Sequence, residues 1–465
     1  MSDPDVVVIG AGMAGLAAAI RVALAGKSVL VLERHEAPAG LNSFYRQEGR
    51  VYDVGLHALT NFARREDRGA PLNKIFRQLR IPREAFDLNP QLGSRIAFPE
   101  ADLRFTNDPG TLETEVAEKF PASLDGFREV VRFVRERDAT ALEDRGETAV
   151  PFLGERIPDP LLREMLLCPI LYYGSATEDD LDLDQFAILF RSLFLEGFSR
   201  PVDGVRTIIR ALLRKLKEVG GERRMRCGVR RIRVEGSRVE ALELDDGAEI
   251  RAPVVLSTAG LVETNRLCGL REAREPVGRL SFVETIAVYG ANPARFGWND
   301  TITFFSGRRP FRYRCPEDDL VDPGSGVICI PNHYDYGEGR GLGEGLVRFT
   351  ALANHARWKS LPTDEYYRRK EEWFARLRGV AREVLPEPTE DPEAHLVARD
   401  MFTPLTVEKF TGHLGGAVYG SSRKSKDGRT PFENLFLCGT DQGFLGIVGA
   451  MLSGISIANR YAVRD

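Results

Sequence analysis

The sequence predicts an α/β fold in which a parallel sheet carries helices on both faces, with a mixed α+β domain interleaved between its parts. The pattern strand, glycine turn, helix, strand opens the chain over residues 5–33. A similar pattern, an amphipathic helix followed by strand-like segments, recurs over residues 205–259. A strand, a glycine turn and a helix follow after residue 434. We therefore expect one sheet to be assembled from three separated segments.

The first element is a strand from Asp5 to Ile9, followed by a glycine turn, a helix from about Ala14 to Ala25 and a strand from Ser28 to Glu33. The turn, Gly10-Ala11-Gly12-Met13-Ala14-Gly15, has G-x-G-x-x-G spacing. Its glycines permit a tight turn, leave room for a pyrophosphate and let the helix pack closely on the strand. Glu33 ends the second strand, where a carboxylate can bind ribose hydroxyls. This context predicts a Rossmann-type dinucleotide site.

The middle of the chain predicts a second domain. Residues 71–200 are mostly helical, and the apolar stretches Leu161 to Tyr173 and Phe186 to Phe198 could line an apolar tunnel, although core packing is the simpler interpretation. Asp246-Gly247 predicts a hairpin turn. We predict a cofactor domain from residues 1–70, 200–265 and 400–465, and a substrate domain with a helical cap from residues 71–199 and 266–399.

Composition narrows the class of protein. The net charge of −4 gives no general attraction to nucleic acid. The basic run that includes Val229 to Val234 is interpreted as a strand with one solvated face. The six cysteines form no metal-like cluster with the six histidines, so we expect no metal and a reduced, cytoplasmic setting. The uncharged run Gln442 to Asn459 is punctuated by glycine and too short for a convincing membrane span, but peripheral membrane contact stays open. No protein partner is evident.

Motifs at both ends make the chain resemble the flavin-dependent amine-oxidase superfamily. Near the N-terminus these are Glu33-Arg34, Pro38-Ala39-Gly40-Leu41-Asn42-Ser43 and Tyr52-Asp53-Val54-Gly55-Leu56-His57. Near the C-terminus, Thr403-Pro404-Leu405-Thr406, Gly415-Gly416-Ala417-Val418-Tyr419-Gly420 and the run from Asn434 to Asp441 resemble the phytoene-desaturase branch. That branch also holds carotenoid isomerases and retinol saturases. Residues 446–454 continue the likeness.

The resemblance implies FAD as the cofactor and a set of residues that contact it. In this interpretation Val229 presents backbone groups to the adenine, and Gly449 lets a helix N-terminus approach the flat flavin. The partial positive charge of that helix end would favour the negative charge that develops on flavin reduction. The full expected set is Gly10, Gly12, Met13, Ala14, Gly15, Glu33, Arg34, Gly40, Leu41, Asn42, Ser43, His57, Val229, Gly439, Asp441, Gly449 and Ala450.

At three positions, Ala39, Asp441 and Lys409, the resemblance alone does not assign a role. Ala39 stands where glycine is usual in the family, and its methyl is a small obstruction if its φ is negative. Asp441 could bind the ribityl or diphosphate part of FAD, or cap the helix that follows. Lys409 invites comparison with the lysine of amine oxidases, but its surroundings do not match, so we interpret it as a surface residue.

The function expected from this resemblance is FAD-dependent oxidation of an apolar isoprenoid or carotenoid-like substrate, most simply desaturation by hydride transfer. His57 is the candidate for a catalytic role, although a lone histidine is more often structural. The sequence contains no recognisable Ser-His-Asp, metal-ligand or paired-carboxylate constellation. The alternatives are a polyene saturase or cis-trans isomerase, a flavin amine oxidase, and a flavin-free module that binds prenylated proteins, as guanine-nucleotide dissociation inhibitors do.

Overall fold

A computed structural model describes residues 3–55, 57–139, 145–270 and 277–463. Leu56, which belongs to one of the N-terminal motifs, lies outside these ranges. The chain ends and two internal stretches of the predicted domains, residues 140–144 and 271–276, also lie outside them.

The strands are β1 (Val6–Ile9), β2 (Val29–Leu32), β3 (Phe44–Gln47), β4 (Arg50–Asp53), β5 (Asn89–Pro90), β6 (Ser94–Ala97), β7 (Asp102–Phe105), β8 (Ser199–Arg200), β9 (Glu222–Arg224), β10 (Val229–Glu235), β11 (Arg238–Leu244), β12 (Glu249–Ile250), β13 (Val254–Ser257), β14 (Ser281–Tyr289), β15 (Ile302–Ser306), β16 (Ser325–Cys329), β17 (Gly345–Ala353), β18 (Leu396–Phe402) and β19 (Leu435–Leu437).

The α-helices are α1 (Met13–Ala23), α2 (Pro71–Leu79), α3 (Pro109–Lys119), α4 (Leu124–Glu136), α5 (Ala149–Arg156), α6 (Pro160–Gly174), α7 (Leu183–Phe190), α8 (Val205–Glu218), α9 (Leu261–Leu267), α10 (His355–Lys359), α11 (Thr363–Val384), α12 (Pro404–Thr411) and α13 (Gly446–Ile457).

A five-stranded parallel sheet runs in the order β19-β13-β1-β2-β9. Its strands come from the three separated segments that the sequence indicated. All residues of β1 and β2 are buried, because both faces of the sheet are covered. The α/β class and the Rossmann-type sheet are confirmed.

The two faces of this sheet are covered differently. Val6 and Val8 of β1 face the helices α1, α8 and α13, whereas Val7 and Ile9 face the antiparallel sheet β10-β11-β12 together with the end of α9. This follows from the alternation of side chains along a strand. The predicted hairpin at Asp246-Gly247 joins β11 to β12, and Gly247 has the positive φ of 86° that such a turn favours.

A seven-stranded mixed sheet forms the second layer, in the order β18-β14-β17-β16-β15-β6-β7. Its only parallel pair within the described residues is β6 with β15. The strands β6 and β7 come from the chain before residue 200, and the other five from the chain after residue 280. Both stretches of the predicted substrate domain thus contribute to one sheet, while the domain boundaries themselves stay a prediction.

A helical cap built from α3 to α7 packs against this sheet through a large apolar core. Helix α6 contains the predicted stretch Leu161 to Tyr173. The second stretch begins in α7 and continues as the π-helical turn Arg191–Leu195. Its phenylalanines at 186, 190, 194 and 198 are at most 1% exposed, so core packing is confirmed for them.

Candidate functional site

A cavity of about 690 Å³ lies where the carboxyl ends of the parallel strands meet the mixed sheet and the helical cap. Most of the predicted cofactor residues line it. These are Gly10, Gly12, Met13, Ala14, Glu33, Arg34, Gly40, Leu41, Asn42, His57, Val229, Gly439, Gly449 and Ala450. Gly15, Ser43 and Asp441 are not part of the wall.

The first glycine turn forms an open cradle. Gly10 has a φ of 97°, and a Cβ on Gly15 would lie 2.0 Å from the carbonyl oxygen of Gly10, so Gly15 serves the packing of α1. Gly12 has an extended backbone with φ −67° and ψ 177°, and no described atom lies within 4 Å of a Cβ built on it. The free amides at the N-terminus of α1 thus face open space that suits a diphosphate.

Glu33 lies on the cavity wall at the end of β2, as the sequence predicted. One carboxylate oxygen accepts a hydrogen bond from the Ala11 amide and the other from the His35 amide, both at 2.8 Å. These bonds fix the carboxylate beside the glycine turn. Each oxygen keeps a second lone pair, with which it can accept from a ribose hydroxyl.

The segment after β2 approaches the glycine turn closely. The Ala39 amide donates to the Ala11 carbonyl at 2.7 Å, and a Cβ on Gly40 would lie 3.9 Å from the Cα of Gly12. Ala39 has a φ of 83°, so the condition of a negative φ, under which its methyl would be only a small obstruction, is not met. The bridge between Gly12 and Ala39 holds the chain in this left-handed conformation.

The N-terminus of α13 also faces the cavity. Gly446, Gly449 and Ala450 line the wall, and a Cβ on Gly449 would lie 2.9 Å from the carbonyl carbon of Phe444. Gly439, in the turn after β19, has a φ of 98°. Gly449 therefore lets the start of α13 pack against the Phe444 backbone, and the helix end that lines the cavity carries a partial positive charge. Contact between this helix end and the flavin stays a prediction.

Asp441 is 3% exposed and its carboxylate is held by the protein. It accepts from the amides of Leu261 at 2.6 Å and Ser421 at 2.9 Å, and it pairs with the Lys424 ammonium at 3.3 Å. These bonds tie the turn after β19 to the start of α9 and to the loop before β19. A direct contact between Asp441 and the cofactor stays a prediction. Ser43 Oγ is buried without a hydrogen-bond partner among the described residues.

A polar cluster on the mixed-sheet side of the cavity was not predicted. His57 Nε2 lies 2.8 Å from Glu284 Oε2 and 3.1 Å from Thr350 Oγ1. Glu284 and Thr350 are directly opposite each other in β14 and β17. The Arg348 guanidinium pairs with the other carboxylate oxygen of Glu284 and donates to the Val54 carbonyl at 2.7 Å. His57, which the sequence shows without a partner, is thus one member of a hydrogen-bonded network around the Glu284–Arg348 ion pair.

Burial alone would raise the pKa of Glu284, but the positive charge of Arg348 and the hydrogen bonds from His57 and Arg348 hold that pKa below its ordinary value. The carboxylate is therefore ionised although it lies in the protein interior. The His57 backbone is fixed as well, because its carbonyl accepts from the Tyr334 hydroxyl at 3.1 Å and lies 3.6 Å from Cys329 Sγ.

We expect the free energy of unfolding to fall more steeply on acidification in the wild type than in Glu284→Gln. The native carboxylate has a lower pKa than the unfolded one, so the unfolded state binds more protons. The stability that this group contributes is present above the unfolded pKa and is lost as the pH falls through the native one. Urea unfolding between about pH 6 and pH 3 measures the two slopes. Equal slopes would contradict the assignment.

Aromatic side chains form another part of the wall, namely Tyr172, Tyr173, Phe282 and Tyr419. The Tyr172 hydroxyl bonds to Ser325 Oγ at 2.9 Å, and the Tyr419 hydroxyl donates to the Tyr172 carbonyl. Two of the phenol groups are therefore satisfied by the protein, and their rings contribute apolar surface to the cavity. The sequence did not identify these residues together because they come from α6, β14 and the loop after α12.

Lys409 is exposed on α12 with its ammonium 5.3 Å from the Phe410 ring centre, which confirms it as a surface residue. Within the described residues, no three potential ligands among His, Cys, Asp and Glu lie close enough together to hold a metal ion. No helix in the described part of the chain combines the length and the apolar character needed to cross a bilayer.

Fold and site together define a protein with a Rossmann-type dinucleotide cradle, which continues at the strand ends into a cavity with apolar and aromatic walls. Residues 13–461 match the family of flavin containing amine oxidoreductases. The chain belongs to this family and is an FAD-dependent oxidoreductase. The predicted resemblance and the predicted cofactor are confirmed.

Two curated relatives act in carotenoid chemistry by name. The chain is 27% identical over 283 residues to phytoene desaturase (lycopene-forming) of Pantoea ananas, a match that covers 56% of this chain and only 56% of that enzyme. It is 22% identical over 508 aligned positions to 4,4'-diaponeurosporene oxygenase of Staphylococcus aureus (strain MSSA476), covering 99% of this chain and 98% of the relative.

Solved structures share the fold. An oxidoreductase from Methanosarcina mazei superposes with a TM-score of 0.65 at 15% identity, covering 98% of this chain and 100% of that one. A redesigned putrescine oxidase gives a TM-score of 0.64 at 16% identity, covering 99% of both chains. At these identities the likeness concerns the fold alone.

Proposed function

We propose that this enzyme dehydrogenates an apolar isoprenoid polyene and so introduces a carbon–carbon double bond. The observation that carries the proposal is that the cavity beside the cofactor cradle continues along apolar side chains of the helical cap. Ala187, Ile188 and Leu189 of α7 line it together with Phe444 and Leu445, which precede α13. Such walls gain free energy by removing a hydrocarbon chain from water, at roughly 25 cal/mol per Å² of buried apolar surface.

The names of the curated relatives support a polyene as substrate. Both the phytoene desaturase and the diaponeurosporene oxygenase are named for carotenoid substrates or products, and the second match spans nearly the whole chain. When bound, FAD supplies a two-electron acceptor for a hydride. The chain's own part is to hold the polyene against that acceptor and to exclude water. Peripheral membrane contact, by which such a substrate could be delivered, stays a prediction.

The alternatives have less support. Saturation and isomerisation would use the same cavity and are separated from desaturation only by experiment. For amine oxidation, a positively charged substrate would benefit from an unpaired carboxylate beside it, but Glu284, on the mixed-sheet side of the cavity, is already paired with Arg348 and His57. A flavin-free module that binds prenylated proteins would not require the glycine cradle or the N-terminus of α13, which we propose to bind FAD.

Co-expression in a pigment-free host that makes a phytoene-type precursor tests the proposal. We expect mass analysis of the extracted isoprenoids to find products that have lost one or more hydrogen pairs. Gly12→Val, which is designed to block the cofactor cradle, serves as the control and should leave the precursor unchanged. Products that have gained hydrogen pairs, products of unchanged mass with altered double-bond geometry, or unchanged precursor would each contradict desaturation.

A further inference from the structure

We propose that His57 is the base that takes up the proton released when the polyene is oxidised, and that Glu284 positions it. This inference rests on the proposed function, because a base is required only if a carbon–hydrogen bond is broken to release a proton. His57 lines the cavity wall, and its side chain is 18% exposed there. It is therefore within reach of a bound substrate, whereas the Glu284 side chain, which lines the same wall, is only 8% exposed.

The hydrogen bonds determine which imidazole nitrogen can act. A carboxylate only accepts hydrogen bonds, so the short contact of 2.8 Å between Glu284 Oε2 and His57 Nε2 places the ring proton on Nε2. In the neutral ring the other nitrogen, Nδ1, then carries the lone pair. Both ring contacts with described residues, to Glu284 and to Thr350, are made through Nε2. Nδ1 is thus the atom available as the base.

The residues around Glu284 keep its carboxylate ionised and oriented toward His57. Arg348 is 1% exposed and pairs with Oε1, while Thr350 Oγ1 lies 3.3 Å from Oε2. Both neighbours come from β17, which is paired with β14 along its whole length, so the carboxylate cannot turn away from the histidine. The ionised carboxylate stabilises the imidazolium that forms when Nδ1 takes up a proton. An ion pair with a purely structural role would not need a position in the cavity wall, whereas Glu284 has one.

The proposed oxidation removes one hydrogen from each of two neighbouring carbons. With FAD bound, one substrate carbon would lose a hydride to the cofactor, and the neighbouring carbon would lose a proton to His57 Nδ1. The electron pair of the second carbon–hydrogen bond becomes the new π bond. The substrate is oxidised by two electrons, the flavin is reduced by two, and the imidazolium later returns its proton to solvent.

The test compares His57→Gln and Glu284→Gln with the wild type as FAD-loaded proteins under anaerobic conditions. We expect the rate at which phytoene reduces the flavin to fall about 100-fold in each variant. FAD content is measured first, so that a loss of cofactor is not mistaken for a loss of rate. The pH dependence of the rate should also disappear in His57→Gln. Among the described residues, the charged or titratable groups near His57 are Glu284 at the ring, Arg348 paired with Glu284, and Cys329 and Tyr334 at the His57 carbonyl, and all of them remain in that variant.

The chain contains a matched control pair. His355 Nε2 lies 2.7 Å from Glu408 Oε2, with side-chain exposures of 14% and 26%, and neither residue lines the cavity. Glu408→Gln should therefore leave the rate of flavin reduction within about twofold of wild type, as expected for a substitution away from the site.

A second measurement does not depend on turnover. Nitrogen-15 NMR of the histidine rings in the wild-type protein should find the neutral His57 ring protonated on Nε2, with the signals assigned by their loss in His57→Gln. In Glu284→Gln the side-chain amide can donate as well as accept, so the share of this tautomer should fall. If Glu284→Gln does not fold, the NMR of the wild type and the kinetics of His57→Gln decide the question.

The outcomes of these experiments distinguish a wrong assignment of the base from a wrong proposed function. Wild-type rates in His57→Gln with FAD bound, or a wild-type ring protonated on Nδ1, would overturn the assignment of the base while leaving polyene oxidation intact. If no polyene reduces the flavin in the wild type, the proposed function fails, and the NMR result still reports whether Glu284 orients His57.

Discussion

Gly12→Val is expected to weaken FAD binding by about 1,000-fold while leaving the fold intact. The extended backbone of Gly12 accepts any residue, and no described atom lies within 4 Å of a Cβ built on it. The valine would instead occupy the space in front of the α1 amides. Loss of two charge-assisted hydrogen bonds to the diphosphate, at about 2 kcal/mol each, corresponds to this change in Kd. Titration of the apoprotein with FAD measures it.

The control for this variant is Gly379→Ala, an exposed position inside α11 where a Cβ also meets no described atom within 4 Å. It should bind FAD like the wild type and be slightly more stable, because alanine favours a helix over glycine by about 1 kcal/mol. FAD affinity that is unchanged in Gly12→Val would show that the cofactor does not lie in this cradle. A parallel loss of thermal stability in the apoprotein would contradict the view that the substitution acts on the cofactor alone.

Asp53→Ala should lower the free energy of unfolding by about 3–5 kcal/mol. Asp53 Oδ2 lies 2.6 Å from the Arg200 guanidinium, and the two side chains are only 6% and 4% exposed. Its other oxygen accepts from the Val205 amide at the start of α8 at 3.2 Å. Without the carboxylate, the Arg200 charge is left buried and uncompensated. Urea unfolding of the apoprotein measures the loss.

Asp203→Ala is the matched control, since Asp203 pairs with Arg210 at 2.8 Å with more than half of each side chain exposed. Solvent screens such a pair, and its removal should cost less than about 1 kcal/mol. Similar losses in the two variants would show that burial of the Asp53–Arg200 pair has no special energetic consequence.

The sequence predicts the cofactor half of the molecule well because the determinants are local there. The strand, the spaced glycines, the helix and Glu33 lie within one short segment, and each has a conformational or chemical task that the spacing reveals. The three segments could be assigned to one sheet because the central strands of a parallel sheet appear in a sequence as short apolar runs, here next to glycine turns.

The polar cluster could not be predicted in the same way. Glu284 and Thr350 meet His57 across 227 and 293 positions of chain, and only the pairing of β14 with β17 brings them together. Every residue of β14 is buried, so no alternation of buried and exposed positions along the strand identifies Glu284 as a residue of the site. The contacts of Asp441 with Leu261 and Ser421 are missed for the same reason, since they join separate loops.

Anaerobic mixing of the FAD-loaded protein with a phytoene-type polyene in detergent micelles tests the central claim most directly. We expect the oxidised flavin to lose its visible absorbance and each reduced flavin to be matched by one product molecule that lacks one hydrogen pair. Flavin that stays oxidised with every polyene offered, while a simple reductant still reduces it, would contradict the claim that this cavity oxidises polyenes.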